Sequence, residues 1–412
     1  MTEPSGPDAM ATAVSPAGTS IYLDHAAATP LDPRVDEAMR RAAAEAFANP
    51  SSPHTAGRRA RAALEDARDR ILALLGGRSA GNSRDRLIFT GGATEANRLG
   101  MLGTAGPQPG TVGISPRDHG SVIAAAANLA ARGWRLQHLP LAADGTAMAA
   151  AAGLAAAEPG RVLISTTLVC GQTGIRESPA ALSADDIGGR LLVHADATQA
   201  AAWDSLSFGA LTVTSLTLAP HKFGGPRGVG GLLVRGGIGV APLTPGPQEL
   251  GLRGGTEAVA LAVGFAVALE LATAAREALR QRLTELRDRF EALFVAAARC
   301  HGLEAVVVGS DADRAPSITT IAVRGCERQT LVMACDLAGV SLATGTACAS
   351  GSSDPAPAIV ALDLPAWVPQ AAIRASLGAS TTPADVAEAV RRIEGVFRGI
   401  AAAGLHAPSD AG

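Results

Sequence analysis

Short apolar runs alternate with alanine-rich segments through the first two thirds of the chain. The runs span residues 86–90, 111–115, 161–166, 190–196 and 229–235. Each run has the length of a strand, and the segments between them are long enough for helices. This alternation predicts an α/β fold with a mainly parallel sheet covered by helices. In open sheets of this kind, ligands bind where loops leave the carboxyl ends of the strands.

The pattern changes after about residue 270. A long charged helix is predicted over Ala275–Ala298 and an amphipathic helix near Ala384–Ile400. Between them lie the apolar run SITTIAV, a Cys-bearing loop rich in Gly, Ser and Pro, and the segment AAIRASLG. These features predict a smaller α+β domain, and 412 residues are enough for two domains.

Composition excludes several classes of partner. The formal net charge of −3 provides no basic field for nucleic acid and no polybasic run for anionic lipid. The longest apolar run, Ala258–Leu269, is too short to cross a bilayer and predicts a buried helix. The first residues are rich in Pro, Ser, Gly and Thr and lack the apolar core of a signal peptide. We therefore expect no membrane and no nucleic acid among the partners.

The cysteines argue against a zinc site or a complete disulfide framework. The chain has five, which is an odd number, and none forms a C-x-x-C pair. No histidine shows metal-ligand spacing, so no metal is expected. The default location is a reducing cytoplasm. We expect Cys170, Cys300, Cys326 and Cys335 to be buried structural residues.

Lys222 is the only lysine in the chain, and every other basic side chain apart from histidine is arginine. Arginine supplies charge and hydrogen bonds at least as well, but its guanidinium cannot act as an amine nucleophile. A single lysine at this position therefore indicates covalent chemistry. Arginine-biased codon usage is the alternative explanation, and the neighbouring motifs must decide between the two.

Two strand exits carry residues suited to a cofactor. The segment TGGATE, Thr90 to Glu95, joins a strand to a predicted helix, whose first backbone N–H groups attract phosphate. The segment HADATQ ends an apolar strand with Asp196, which could hold the protonated ring nitrogen of pyridoxal phosphate. Lys222 follows one strand unit later. An ordinary Gly-rich turn and a capping aspartate are the alternative interpretations of these two segments.

Taken together, the motifs resemble the cysteine desulfurases of the class V aminotransferase group, which are fold-type-I pyridoxal phosphate enzymes. The resemblance extends from about Ile21 to Ile400. It depends on motifs that occur in the family's order: YLDHAAATP, FTGGATEAN, Asp118-His119, HADATQ, PHKFGGPRGVG, QELGLRGGT, GTACAS and IRASLG.

The resemblance implies a domain organisation. The large domain would contain a seven-stranded, mainly parallel sheet, and the small C-terminal domain would be α+β. Composition predicts a disordered tail over 1–19. The divisions after it are a segment over 20–31 that joins the small domain, a large domain over 32–272, and a small domain over 273–412 with a mobile Cys loop at about 344–360.

The resemblance also implies roles in binding pyridoxal 5'-phosphate. Lys222 would bind the cofactor covalently and later move the substrate's alpha proton, and His119 would stack on the ring and assist. Asp196 would pair with the ring nitrogen and Gln199 with the ring hydroxyl. The phosphate would be held by the Ala93 backbone, Thr94, His221, and Thr256 of a second subunit in a homodimer.

The implied substrate is L-cysteine. Arg374 would bind its carboxylate, and Cys348 would take its sulfur as a persulfide, leaving L-alanine. About 26 residues separate Cys348 from Arg374, which resembles the long-loop branch, whose persulfide passes to scaffold or carrier proteins. The expected partner is thus a sulfur-acceptor or scaffold protein, in iron–sulfur cluster assembly or another sulfur pathway.

Two positions depart from the family pattern. The family usually has Asn where this chain has Gly171, and Ser where it has Ala219. Each change removes a hydrogen-bonding group expected to contact the cofactor or its phosphate. Two alternatives to a desulfurase therefore stay open: a pyridoxal phosphate lyase or aminotransferase for another amino acid, and a non-catalytic sulfur-trafficking or scaffold-binding relative.

Overall fold

The computed structural model describes residues 20–79, 81, 83–182, 189–345 and 354–402. The predicted tail over 1–19 and Cys348 lie outside these residues. The strands are β1 Ile21–Tyr22, β2 Arg86–Thr90, β3 Thr111–Ile114, β4 Arg135–His138, β5 Val162–Thr167, β6 Leu191–Asp196, β7 Ser215–Leu218, β8 Gly230–Val234, β9 Ala305–Val307, β10 Ile318–Val323, β11 Val340–Ser341 and β12 Ala372–Ser376.

Helices occupy most of the intervening chain. Their bounds are α1 Pro33–Glu45, α2 Thr55–Leu74, α3 Ala93–Arg98, α4 Gly120–Ala131, α5 Met148–Ala157, α6 Val259–Cys300, α7 Arg328–Leu337, α8 Pro357–Val360, α9 Trp367–Ala371 and α10 Pro383–Ala402.

A seven-stranded sheet in the order β2-β8-β7-β6-β5-β3-β4 forms the centre of the molecule. Strands β3 to β7 pair in parallel, and only β8 runs antiparallel to its neighbours β2 and β7. The predicted fold class is confirmed. All five apolar runs form strands, whereas β4 and β7 did not stand out in the apolar pattern. β4 reads RLQH and is largely exposed, so it lacks the apolar signature of a buried strand.

The C-terminal part has its own sheet, in the order β12-β10-β9, and all of its pairs are antiparallel. The chain's N-terminal strand β1 pairs with β11 of this part, with Ile21 opposite Val340. The N-terminal segment at Ile21–Tyr22 therefore joins the C-terminal part of the molecule. The predicted domain division at 272/273 falls within the continuous helix α6.

Helix α6 joins the two parts. Among the described residues it is the one helix long and apolar enough to cross a membrane by length and composition. Its apolar first half packs in the core, however, and contacts α1 and α2. This half contains the predicted buried helix at Ala258–Leu269, and the buried side chains there include Val259, Ala262, Phe265, Ala266 and Leu269.

Candidate active site

The candidate site lies at the carboxyl edge of the large sheet. Strand register aligns the ends of three neighbouring parallel strands, because Thr167 of β5 lies opposite Asp196 of β6, and Asp196 lies opposite Thr217 of β7. The end of β6 and the loops that leave β6 and β7 carry four of the predicted site residues, namely Asp196, Gln199, His221 and Lys222. This is the edge at which parallel sheets bind ligands.

Asp196 is the last residue of β6, whose six side chains are all buried. Its Oδ1 atom accepts a hydrogen bond from the Thr198 backbone N–H at 2.9 Å, and its Oδ2 atom accepts one from Asn97 Nδ2 at 2.8 Å. Only 5% of Asp196 is exposed. Both carboxylate oxygens therefore have fixed partners, which hold the carboxylate in one orientation.

His119 is the N-cap residue of α4. Its Nδ1 atom accepts a hydrogen bond from the Ser121 backbone N–H at 3.1 Å and lies 2.8 Å from Ser121 Oγ. The same Oγ accepts a hydrogen bond from Asn97 Nδ2 at 3.0 Å. His119 and Asp196 thus belong to one hydrogen-bond network through Asn97, a residue to which the sequence analysis gave no role.

Asp118 fixes the turn that leads to His119. Its carboxyl group is fully buried and accepts hydrogen bonds from the Ser115 backbone N–H, Ser165 Oγ and Thr167 Oγ1 at 2.8, 3.1 and 2.8 Å. Burial raises the pKa of Asp118 to about 6. The acidic member of the Asp118-His119 pair is therefore an internal support that links the β3 exit to β5.

Lys222 lies in the short helical turn Pro220–Lys222 that follows β7. Its Nζ atom donates hydrogen bonds to the backbone carbonyls of Ala26 at 2.6 Å and Ala27 at 2.9 Å. Gln199 Nε2 donates to the same Ala26 carbonyl at 2.8 Å. The amine and the Gln199 amide therefore converge on one atom of the N-terminal segment.

That N-terminal segment is attached to the lysine turn. The Thr29 backbone N–H donates to the His221 carbonyl at 2.9 Å, and Thr29 Oγ1 accepts from the Gly224 N–H at 2.7 Å. Gly224 has a φ of +80°, which favours glycine. The lysine turn thus has a defined position relative to the Ala26 carbonyl.

The predicted phosphate ligands come from two places. Helix α3 begins at Ala93, so the backbone N–H groups of Ala93 and Thr94 belong to its first turn, and no side chain caps this end within the described residues. His221 precedes Lys222. Burial, with smaller contributions from Lys222 and Arg227, lowers the pKa of His221 to about 4. A neutral His221 retains one N–H donor.

Thr256 is exposed and lies on a loop that is firmly anchored. Arg68 donates two hydrogen bonds of 2.9 Å to Glu249 on this loop, and both residues are buried. The Phe89 N–H of β2 donates to the same carboxylate at 2.7 Å. The loop therefore presents Thr256 on the surface of this chain, as a contribution to a second subunit would require.

Arg374 lies in the middle of β12, with only 5% of the residue exposed. Its Nη2 atom is 2.7 Å from Asp24 Oδ1, and its Nη1 atom donates to the Gly171 carbonyl at 2.8 Å. Its buried Nε atom has no hydrogen-bond partner among the described residues. The Arg374 guanidinium thus joins the N-terminal segment, the loop after β5 and the small sheet. Its Nε–H group remains available as a donor.

Cys348 lies outside the described residues, but the flanks of its loop are described. The Ala358 N–H donates to Gln172 Oε1 at 2.9 Å. On the other side, a Cβ atom added to Gly345 would lie 3.9 Å from the Gln172 carbonyl oxygen. Both flanks therefore adjoin Gln172, which is next in sequence to the Arg374 ligand Gly171.

The two departures from the family pattern have different surroundings. Among the described residues, a Cβ atom at Gly171 would meet only Gln199, at 3.6 Å from Nε2 and 3.7 Å from Cγ, which are ordinary contacts. Position 171 therefore has room for a side chain directed toward Gln199. Ala219 is fully buried at the end of β7 and provides no side-chain cap for the lysine turn.

Three of the four cysteines expected to be structural are buried, namely Cys170, Cys326 and Cys335. Burial raises the pKa of Cys326 to about 11 and that of Cys335 to about 12, so both stay as thiols. The expectation for Cys300 was wrong. It is exposed because it ends α6, where the helix leaves the core.

Comparisons with known proteins agree with this architecture. The family model described as class V aminotransferase matches residues 21–388. The chain is 34% identical to the IscS-like cysteine desulfurase of Mycobacterium tuberculosis, covering 91% of this chain and 95% of that protein. It is 33% identical to cysteine desulfurase IscS of Dictyoglomus turgidum, covering 89% and 91%.

Among solved structures, a NifS-like protein superposes with a TM-score of 0.79 and 25% sequence identity, covering 92% of this chain and 99% of that one. A family-model match over most of the chain, together with relatives above 30% identity over nine tenths of it, decides the assignment. The chain belongs to the class V aminotransferase family and, within it, to the cysteine desulfurases.

Proposed function

We propose that this protein binds pyridoxal 5'-phosphate at the carboxyl edge of the large sheet, converts L-cysteine to L-alanine, and carries the released sulfur as a persulfide on Cys348. The observation that carries the proposal is the convergence of Lys222 and Gln199 on the Ala26 carbonyl. Gln199 lies three residues after the buried Asp196. The chain's only lysine is thus at the sheet edge that carries the carboxylate.

The residues present fit this cofactor. They provide an amine for its aldehyde, a buried carboxylate for its ring nitrogen, and backbone N–H groups and a neutral histidine for its phosphate. When bound, the cofactor acts as an electron sink that stabilises negative charge on the substrate's alpha carbon. Lys222 would hold it and then carry the alpha proton at Nζ, with His119 against the ring. Gln199 would donate to the ring hydroxyl, and Thr256 of a second copy would complete the phosphate site.

Arg374 supports an amino acid substrate. An unpartnered buried donor costs about 1–3 kcal/mol, so the Nε of Arg374 favours an incoming acceptor. A substrate carboxylate would provide that acceptor, and a guanidinium binds a carboxylate at two points. Asp24 and the Gly171 carbonyl hold the guanidinium in place.

Cys348 would complete the reaction. Its thiolate forms a sulfur–sulfur bond to the substrate sulfur while the substrate's carbon–sulfur bond breaks. The electron pair stays with the three-carbon fragment, which takes up a proton and leaves as alanine. The flanks of the Cys348 loop adjoin Gln172, beside the Arg374 ligand, which supports access of this loop to the substrate.

The remaining assignments belong to the same proposal. The enzyme would act as a cytoplasmic homodimer and pass its sulfur to an acceptor or scaffold protein, for iron–sulfur cluster assembly or another sulfur product. The similarity to proteins named cysteine desulfurases supports a sulfur acceptor in general.

A visible spectrum of the purified protein, before and after addition of L-cysteine, tests the proposal when sulfide is measured with a thiol reductant present. We expect cofactor absorbance, a spectral change with L-cysteine, and sulfide release. Cys348→Ala should keep the absorbance but form no persulfide, whereas the control Cys300→Ala, at an exposed cysteine, should behave as wild type.

The alternatives give other results. A lyase or aminotransferase would continue to turn over in Cys348→Ala. A non-catalytic sulfur-trafficking or scaffold-binding protein would show no cofactor absorbance at all. Either result would overturn the proposed desulfurase activity.

A further inference from the structure

Asn97 is fully buried on α3, a position where an uncharged polar side chain needs partners for each of its hydrogen-bonding groups. It has three such partners. Nδ2 donates to Asp196 Oδ2 at 2.8 Å and to Ser121 Oγ at 3.0 Å, and Oδ1 lies 3.0 Å from His194 Nε2. One amide therefore joins the β6 carboxylate to two histidines.

The acceptor character of a carboxylate determines where the protons lie in this network. An ionised Asp196 can only accept, so the Asn97 NH₂ group faces it and Oδ1 faces His194. His194 Nε2 must then carry the ring proton, and Nδ1 accepts from Ser215 Oγ at 2.8 Å. Burial, opposed by the Asp196 charge, lowers the pKa of His194 to about 4, which keeps the ring neutral.

The same reasoning fixes the tautomer of His119. Ser121 Oγ accepts from Asn97, so the hydroxyl proton is available for His119 Nδ1 at 2.8 Å. That nitrogen also accepts from the Ser121 backbone N–H at 3.1 Å. With two donors directed at Nδ1, the ring proton of neutral His119 lies on Nε2.

Shape supports the same arrangement. Gly100 lies three residues after Asn97, and a Cβ atom there would lie 2.4 Å from His194 Cε1 and 2.5 Å from its Nδ1. Any side chain at position 100 would displace the imidazole. The absence of one lets the His194 ring occupy the position from which it contacts Asn97.

We propose that Asn97 is a positioning residue that orients the Asp196 carboxylate and fixes the Nε2-protonated tautomers of both His119 and His194. This inference rests on the proposed function, because it assigns Asp196 and His119 to the cofactor. Asn97 would act through these residues, because its side chain contacts Asp196, Ser121 and His194. A single amide would thereby couple the carboxylate assigned to the ring nitrogen to the histidine assigned to the ring face.

Asn97→Asp tests this role with a side chain of nearly the same shape. The new carboxylate would face Asp196 and repel it, and it would attract a proton to His194. The control is Thr104→Val, which removes a buried hydroxyl in the same helical stretch. Within the part of the chain that the structure describes, this hydroxyl donates to the Gly100 carbonyl alone. Cofactor affinity, the pH titration of the visible absorbance, and histidine ¹⁵N NMR of the cofactor-free protein are measured for each.

For Asn97→Asp we expect cofactor affinity about 10- to 100-fold weaker, as for loss of a hydrogen bond to a charged group. The absorbance titration should shift, and His194 should become protonated at higher pH than in wild type, where it stays neutral with the proton on Nε2. Thr104→Val should change none of these. Asn97→Ser, which keeps a small uncharged donor, should recover part of the affinity and the wild-type titration.

The outcomes separate the two claims. A wild-type protein that takes up no pyridoxal phosphate would overturn the proposed function, and the positioning role with it. A wild type that binds the cofactor while Asn97→Asp keeps its affinity, absorbance titration and His194 tautomer would overturn the positioning role alone. If Asn97→Asp fails to fold, the positioning role is tested by Asn97→Ser and by the tautomer of His194 in the wild type. A ring proton on His194 Nδ1 would contradict that role.

Discussion

The two halves of the candidate site are built differently. The half around Asp196 belongs to one sheet: its groups lie at strand ends and helix starts and are joined by the fully buried Asn97. The half around Arg374 is assembled from distant segments, since Asp24, Gly171 and Arg374 come from the N-terminal segment, the large sheet and the small sheet. The first half is internally supported, whereas the second depends on how three parts of the chain meet.

Changing Arg374 should break the second half while leaving the first intact. Arg374→Lys keeps the charge but loses the planar two-point geometry. Loss of two hydrogen bonds to charged groups should reduce kcat/KM for L-cysteine by about 100-fold or more. Steady-state kinetics at matched cofactor occupancy measure this effect.

The matched control is Arg324→Lys, at an arginine of the small domain whose ion pair with Glu304 is partly exposed. It should leave kcat/KM unchanged. An Arg374→Lys enzyme with wild-type kcat/KM would show that this guanidinium does not bind the substrate. Loss of cofactor affinity in the same variant would show that the two halves are not separable.

The buried histidines should make the protein less stable as the pH falls. Burial lowers the pKa of His25 and His194 to about 4, so between about pH 6.5 and 4 the unfolded chain takes up protons that the folded chain excludes. Each of these histidines then removes up to about 1.4 kcal/mol of unfolding free energy per pH unit. Asp118 opposes them, because its raised pKa contributes stability that is lost as the pH rises through about 6.

Chemical denaturation of the cofactor-free protein at pH 7 and pH 5 measures the balance, and we expect lower stability at pH 5. His194→Gln should reduce the pH dependence, whereas His138→Gln, at an exposed strand residue, should not. Equal pH dependence of stability in the two variants would mean that the folded protein does not exclude a proton from His194.

Restoring the family's usual asparagine at position 171 should have a smaller effect, on cofactor binding. Gly171→Asn has room beside Gln199 and should strengthen cofactor binding by about 3- to 30-fold, less than a full hydrogen bond to a charged group because water can supply part of such a bond. Equilibrium dialysis of the cofactor measures this. Gly171→Ala, which fills the same space without an amide, should give no gain, and an equal gain from both variants would assign the effect to packing.

Strand exits were predictable because apolar runs mark buried strands. Asp196 was identified in this way, whereas Lys222 was identified as the chain's single lysine, and their strands β6 and β7 are neighbours. β7 itself was missed because SLTL is short and half hydroxylated, although all four side chains are buried. The pattern of neighbouring residues cannot show that the central position of β7 in the sheet buries its serine and threonine.

The supporting residues were not predictable in their roles. Asn97 and Asp24 both occur within motifs that resemble the family's. Nothing in the neighbouring residues indicates that Asn97 contacts a residue of β6 and Asp24 a residue of β12. The only available signal was a polar side chain within an otherwise apolar or small-residue stretch. Ala26 gave no signal at all, because it acts through its backbone carbonyl.

The most direct measurement uses the fact that Lys222 is the only lysine. Purified protein is treated with borohydride, digested, and analysed by mass spectrometry for a pyridoxyl group, with Lys222→Arg as the control. The account predicts the group on Lys222 in wild type and none in the control. An unlabelled Lys222, or equal labelling in the two proteins at another amine, would contradict it.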